Sequence, residues 1–328
     1  MNTIFLQLLA DRTGIPAGLV LAAGSGEPAS PEGALAGLAA KFPCHFRAGL
    51  GEAAATPLRS AGWRELPADR TLRADAPPGK SLPFNVAWIE GDWALAAPAR
   101  PTGNGAASRA LALQLVERVN ADADTHEIEA LLRRDPMLSY HLLRLVNSPG
   151  MGTARKGAGR QGAGVIITSF SQAILLLGRQ QLRRWLNLML FAARGGDGHS
   201  AMLLARVSVR ARLMELLAHA TGLDRPNQEA AFMAGMFSLL GVLFGVPLAE
   251  VLAPLAISGA LRGALLAREG EPGVLLALVE AAEGADFDAV AAALGMLRLP
   301  AADFNAMVVE ANLWMLAMTG DMADRCHA

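Results

Sequence analysis

The histidines, cysteines and acidic residues of this sequence are the groups that could bind a metal ion or form a nucleophile with its base. The six histidines are scattered along the chain, at His45, His126, His141, His199, His219 and His327. They form no H-x-x-x-H pair or other metal-ligand spacing, and no Ser-His-Asp or Cys-His pairing is discernible. Cys44 and Cys326 belong to no pair motif. We therefore expect free thiols in a reducing compartment, no catalytic residue, no metal and no cofactor.

A glycine-rich segment, GSGEPA at 24–29, formally fits the pattern G-x-G-x-x-A and follows a candidate strand over 17–23. In a dinucleotide site the helix opens at these glycines, so that its first N–H groups face the pyrophosphate. Pro28 and a later helix start at Ser30-Pro31 favour a plain loop instead. Nucleotide binding here is the lesser alternative.

A basic cluster is the remaining candidate for binding a partner. It consists of Arg155, Lys156, Arg160, Arg183 and Arg184. The first three lie in a glycine-rich segment, 148–168, that is too poor in apolar side chains to be core and reads as a surface loop. The cluster could bind phosphate or an acidic protein, or could simply be solvated. Because Trp185 is the sole aromatic residue nearby, the pattern argues against a nucleic-acid interface.

The elements that must position such groups fall into two regions. The composition, 52% hydrophobic and 18% charged, allows a large buried core. Residues 1–100 are rich in Pro, Gly and Ala and predict a small α/β domain, with a strand at 17–23, helices near 30–41 and 54–61, and a hairpin of 84–89 with 93–97. The segment PARPTGNG at 98–105 reads as a linker.

The second region, 106–318, predicts an all-helical domain, so that the chain as a whole is α+β and mainly α. Apolar spacing and Gly or Pro stops place the helices at 106–121, 125–134, 136–147, 169–178, 180–193, 199–221, 226–245, 247–254, 258–267, 272–283, 286–295 and 300–318. The uncharged run 230–249 has the length of a membrane span. It contains three glycines and a proline and lacks flanking anchors, so a buried core helix is the better interpretation.

Two segments of this helical region resemble the HDOD domain, a regulatory relative of the HD-type metal phosphohydrolases. They are DPMLSYHLLRLVNSP at 135–149 and ITSFSQAILLLG at 167–178. The resemblance implies an HD-like multi-helix domain over 106–318 without hydrolase chemistry. By the family pattern Gly-Leu-Leu-His-Asp-Ile-Gly, Ser238 stands at the histidine and Leu239 at the aspartate. Neither is a good ligand for a hard divalent metal, so the resemblance implies a degenerate site.

The segment from SLLGVLF to DFDAV, at 238–290, resembles in particular the HDOD half of tandem proteins. Those proteins carry an EAL phosphodiesterase-like domain in front of the HDOD domain. The front region here is too short for a complete (β/α)₈ barrel. A reduced EAL-like remnant and an unrelated domain both remain open. The tripeptide Glu129-Ala130-Leu131 lies inside a helical run and is read as coincidence.

The expected function is therefore non-enzymatic regulation through contact with other signalling proteins, in cyclic-di-GMP or two-component pathways. The alternative is a nucleotide-binding sensor or a residual metal-dependent phosphohydrolase. The N-terminus, without a basic segment, is not a convincing secretory signal, so a cytoplasmic location is expected. Residues 126–225 carry a net charge of +8 and residues 226–328 a net charge of −8. This asymmetry is compatible with mutual contacts or with charged partners.

Overall fold

The computed structural model describes residues 3–24, 32–79, 81–96, 198–253 and 257–323, parts of 113–132, and positions 178, 180, 182 and 184. The chain divides into two compact units. The larger comprises Met1–Arg100, Phe191–Val251 and Ser258–Ala328, and the smaller comprises Pro101–Leu190 with Leu252–Ile257. In the smaller unit the structure describes the helix Thr125–Leu132 (α3), as the apolar spacing predicted from residue 125, and helical residues at 113–115 and 117–119 within the predicted helix 106–121.

The larger unit begins with a six-stranded sheet in the order β4-β3-β2-β1-β6-β5. The strands are Ile4–Ala10 (β1), Pro16–Ala23 (β2), Cys44–Phe46 (β3), Arg64–Glu65 (β4), Thr71–Arg73 (β5) and Trp88–Glu90 (β6). β1 is antiparallel to both β2 and β6, whereas β2–β3, β3–β4 and β5–β6 pair in parallel. All strands except β1 therefore run in the same direction. The helices Glu32–Ala39 (α1) and Glu52–Ser60 (α2) connect β2 to β3 and β3 to β4.

Helices complete the larger unit. The structure is mostly helical, which confirms the prediction that the chain is mainly α. The helices of this unit are Gly198–Ala220 (α4), Arg225–Phe237 (α5), Leu240–Phe244 (α6), Leu248–Leu252 (α7), Gly259–Ala267 (α8), Gly270–Glu283 (α9), Phe287–Leu297 (α10) and Ala301–Ala323 (α11). Their starts follow the expected chemistry, since Asp224, Ser258 and Asp286 each accept a hydrogen bond from a first-turn N–H.

The sheet packs directly on the C-terminal helices. β1 contacts α4, α9 and α11, and the buried Ile4 N–H donates to Asn305 Oδ1 of α11 at 2.9 Å. Trp93 and Ala94 share a buried apolar cluster with Met202 of α4. The front region is thus part of one core with the helices.

The predicted hairpin of 84–89 with 93–97 is wrong. β6 instead pairs with β1 and β5, and residues Trp93–Leu95 form a short 3₁₀ helix. The turn between them contains Gly91 at φ +101°, and a Cβ there would lie 2.4 Å from the Ala74 carbonyl oxygen. After this turn the chain runs into the core, where Trp93 is buried at 2% exposure.

The predicted buried helix over 226–245 is interrupted. α5 ends at Phe237, Ser238 and Leu239 bridge the break, and α6 follows. Buried apolar side chains along both helices support the prediction that this run is core. No helix in the described part of the chain is long and apolar enough by itself to cross a membrane. The helices Phe287–Leu297 and Ala301–Ala317 are long and apolar enough only when they are taken together, and the chain bends by 111° between them.

Cys44 begins β3 and is buried at 4% exposure. Burial raises the pKa of its thiol to about 12, so almost no reactive thiolate exists near neutral pH. In a Cys326→Ser background, we expect a thiol-reactive disulfide reagent at pH 8 to modify Cys44 only when the protein is unfolded in urea. Rapid stoichiometric labelling of the folded protein would show that the thiol is accessible and ionised.

Candidate functional site

The two residues at the degenerate HD positions lie at the break between α5 and α6. The Ser238 hydroxyl donates to the Gly235 carbonyl oxygen at 2.7 Å and accepts a hydrogen bond from Arg210 Nη1, also at 2.7 Å. Leu239 is buried, at 5% exposure. At the position that the resemblance assigns to a metal-ligating histidine, the nearest charged group is thus a guanidinium.

Close packing of two helices brings Arg210 to this position. A Cβ at Gly235 of α5 would lie 2.5 Å from Ala211 Cα of α4, which means that the two backbones nearly touch here. Ala211 follows Arg210, so the approach places the Arg210 side chain beside the end of α5. A residue larger than glycine would hold the helices apart.

Arg210 forms a bidentate pair with Glu283 at the end of α9. Nε donates to Oε1 at 2.8 Å and Nη2 donates to Oε2 at 2.6 Å. The side chains are only 4% and 7% exposed. Burial alone would raise the pKa of Glu283, but the charge and hydrogen bonds of Arg210, with the charge of Arg206, hold that pKa below its usual value. Burial would lower the pKa of Arg210, and Glu283 reverses this effect so that the pKa is raised. Both groups are therefore charged in the core.

The charges continue to the carboxyl ends of the parallel strands. Arg206, one helical turn before Arg210, donates to Asp92 at 2.8 Å, and its Nε lies 3.4 Å from Glu283. Arg47, directly after β3, donates to Glu90 at 2.7 Å and to Gln7 at 3.2 Å. We call this group the edge cluster: Gln7, Arg47, Glu90, Asp92, Arg206, Arg210, Ser238, Glu280 and Glu283.

A cavity of about 120 Å³ remains beside the edge cluster. It is lined by charged residues of the cluster and by apolar side chains that include Phe5, Met202 and Val209. In open α/β sheets ligands bind at the carboxyl ends of the strands. Here α4 and α9 cover that edge, and the remaining volume is smaller than the roughly 150 Å³ cavity known to hold benzene. A cyclic dinucleotide is much too large for it.

The chemistry of the edge cluster is that of ion pairs. Its four carboxylates, Glu90, Asp92, Glu280 and Glu283, each lie within 4 Å of an arginine nitrogen. Within the described ranges, no group of three or more His, Cys, Asp or Glu residues is arranged to hold a metal ion. The cluster connects the sheet to α4 and α9 and fixes how they pack.

Most of the predicted basic surface falls outside the described residues. Arg155, Lys156, Arg160 and Arg183 lie there, while Arg184 is helical, partly buried and already has an interaction partner. Neither Arg210 nor Glu283 was predicted as a site residue. The sequence does show charged residues within apolar helical stretches at both positions. Glu283 ends the stretch VLLALVEAAE of α9, and Arg206 and Arg210 lie one turn apart in α4.

Comparison with known proteins agrees with the resemblance. Residues 109–255 match the family model of the HDOD domain, a range that contains α4 to α6 and Ser238. The chain is 31% identical over 159 residues to "Uncharacterized protein YuxH" of Bacillus subtilis, which is 48% of this chain and 36% of YuxH. It is 30% identical over 205 residues to "Cyclic di-GMP phosphodiesterase CdgJ" of Vibrio cholerae, which is 62% of this chain and 45% of CdgJ.

The matched part thus spans less than half the length of either relative. No solved structure shows significant similarity to the chain. On the family match, the chain contains an HDOD domain over residues 109–255.

Proposed function

We propose that this protein regulates cyclic-di-GMP signalling by binding other signalling proteins, without catalysing a reaction itself. The observation that carries the proposal is the hydrogen bond from the buried Arg210 guanidinium to Ser238 at 2.7 Å. The presence of an HDOD domain and the similarity to a cyclic-di-GMP phosphodiesterase of Vibrio cholerae favour this signalling pathway.

The physical reason against metal-dependent hydrolysis is the charge that already occupies this part of the core. Arg210 Nη1 already donates to the Ser238 hydroxyl oxygen, and Glu283 fixes that guanidinium, so a divalent ion could reach this oxygen only by displacing Arg210. The nearby carboxylates Glu280 and Glu283 are held by Arg210 and Arg268. They could ligate a metal only by giving up those pairs.

The regulatory role is tested in the native host. Deleting the gene should change the cellular concentration of cyclic di-GMP, measured by mass spectrometry, and a plasmid copy should restore it. The purified protein alone should leave cyclic di-GMP intact. An unchanged cellular concentration of cyclic di-GMP would contradict a role in this pathway. Hydrolysis of cyclic di-GMP by the purified protein would contradict the proposal that the protein is not an enzyme.

A further inference from the structure

A groove of about 470 Å³ lies at the opposite end of the strands from the edge cluster. It is bordered by the first residues of three parallel strands, Cys44 of β3, Arg64 of β4 and Trp88 of β6, and by the segment that leads from α1 into β3. Its volume falls within the range of about 300–1,000 Å³ that is typical of small-molecule sites. It shares no lining residue with the cavity beside the edge cluster.

The charge of this groove is uniformly positive. Lys41 and Arg64 line it, and none of the described residues around it is an aspartate or glutamate. Both side chains are exposed, and neither forms a hydrogen bond or ion pair with a residue that the structure describes. Glu65 follows Arg64 in β4, so strand alternation directs it to the other face of the sheet. Two cations without counter-charges create a potential that attracts anions.

An aromatic wall and a buried polar atom accompany these cations. Trp88 lines the groove, and His45 packs edge-on against it with ring centroids 4.8 Å apart. His45 is 6% exposed, and its Nδ1 has no hydrogen-bond partner among the described residues. Burial, assisted by the charge of Arg64, lowers the pKa of His45. The positive charge of the groove near neutral pH therefore comes from Lys41 and Arg64.

We propose that this groove binds an anionic ligand of mononucleotide size, with its planar ring against Trp88 and its phosphate between Lys41 and Arg64. Aromatic side chains bind the faces of nucleobases without regard to sequence. Arginine forms a bidentate fork with phosphate and lysine adds a point charge. The site is independent of the regulatory function proposed above, and its test leaves that proposal unaffected.

The proposal is tested by titrating the full-length protein with GMP and AMP in isothermal calorimetry at about 0.1 M salt. Both nucleotides should bind saturably. Ribose 5-phosphate, which lacks the ring, and guanosine, which lacks the phosphate, should each bind at least about tenfold more weakly than GMP. Changing Lys41 and Arg64 together to glutamine should weaken GMP binding by at least about tenfold.

The matched control is Arg70→Gln, because Arg70 is also exposed but does not line the groove. It should bind GMP as the unchanged protein does, and far-UV circular dichroism should show that both variants are folded. The proposal is overturned if GMP shows no saturable binding. Equal affinity of the Lys41/Arg64 double variant, or equal affinity for ribose 5-phosphate and GMP, would also overturn it.

Discussion

Replacing Arg210 by alanine is expected to lower the free energy of unfolding by about 3–5 kcal/mol, since it leaves the Glu283 carboxylate charged and without its main partner in the core. Glu283 accepts two hydrogen bonds from Arg210, at 2.8 and 2.6 Å, and both groups are buried. The Ser238 hydroxyl would also lose its donor. Urea unfolding followed by circular dichroism measures the loss.

Two further variants separate the cost of an unpaired charge from the cost of lost packing. The double change Arg210→Met with Glu283→Leu should destabilise less than either single change, because it removes both charges and keeps most of the volume. Arg212→Met is the control on the same helix. Arg212 pairs with Glu215 and Glu310 and is 25% exposed, so its replacement should cost no more than about 1 kcal/mol. A double variant as unstable as Arg210→Ala would mean that the pairing is not the source of the effect.

Replacing Gly235 by valine is expected to destabilise the protein by about 1–3 kcal/mol or more through over-packing. A Cβ at this position would lie 2.5 Å from Ala211 Cα and 2.8 Å from Ala211 N. Because these are backbone atoms, the overlap can be relieved only by moving α4 away from α5. The thermal unfolding midpoint should therefore fall.

The control for this change is Gly295→Ala in α10. A Cβ at Gly295 would have no neighbour within 4 Å, so the change should be neutral or stabilise by up to about 1 kcal/mol through helix propensity. If Gly235→Val were as stable as the unchanged protein, the two helices would not be held as closely as described. Arg210 and Ser238 would then not be fixed beside each other.

Most of the helices that the structure describes could be predicted from local patterns, whereas the predicted helices 136–147 and 169–178 lie outside the described residues. The helices predicted to start near 226, 258 and 286 begin at Arg225, Gly259 and Phe287, where Asp224, Ser258 and Asp286 cap them, and Gly245 at φ +65° ends α6 at the predicted stop. The strand β1 was not predicted, because its apolar run IFLQLLA was considered only as a leader segment. The hairpin error has a related cause, since β6 finds its partners in β1 and β5 and pairing between distant strands leaves no local signal.

The candidate site could be predicted in part. The sequence identified Ser238 and Leu239 as positions that cannot ligate a metal well, but it did not indicate which side chain lies beside them. Arg210 and Glu283 are 73 residues apart, and their pairing depends on how α4 and α9 pack against the sheet. A buried ion pair of this kind follows from tertiary structure, so helical periodicity alone could not reveal it.

The central claim, that this protein takes part in signalling without hydrolysing cyclic di-GMP, is tested most directly by a turnover assay. The purified full-length protein would be incubated with cyclic di-GMP and either Mg²⁺ or Mn²⁺, and the products separated by chromatography. We expect no linear dinucleotide or GMP to form with either metal. Formation of either product, dependent on the metal and lost in the presence of a chelator, would contradict the account.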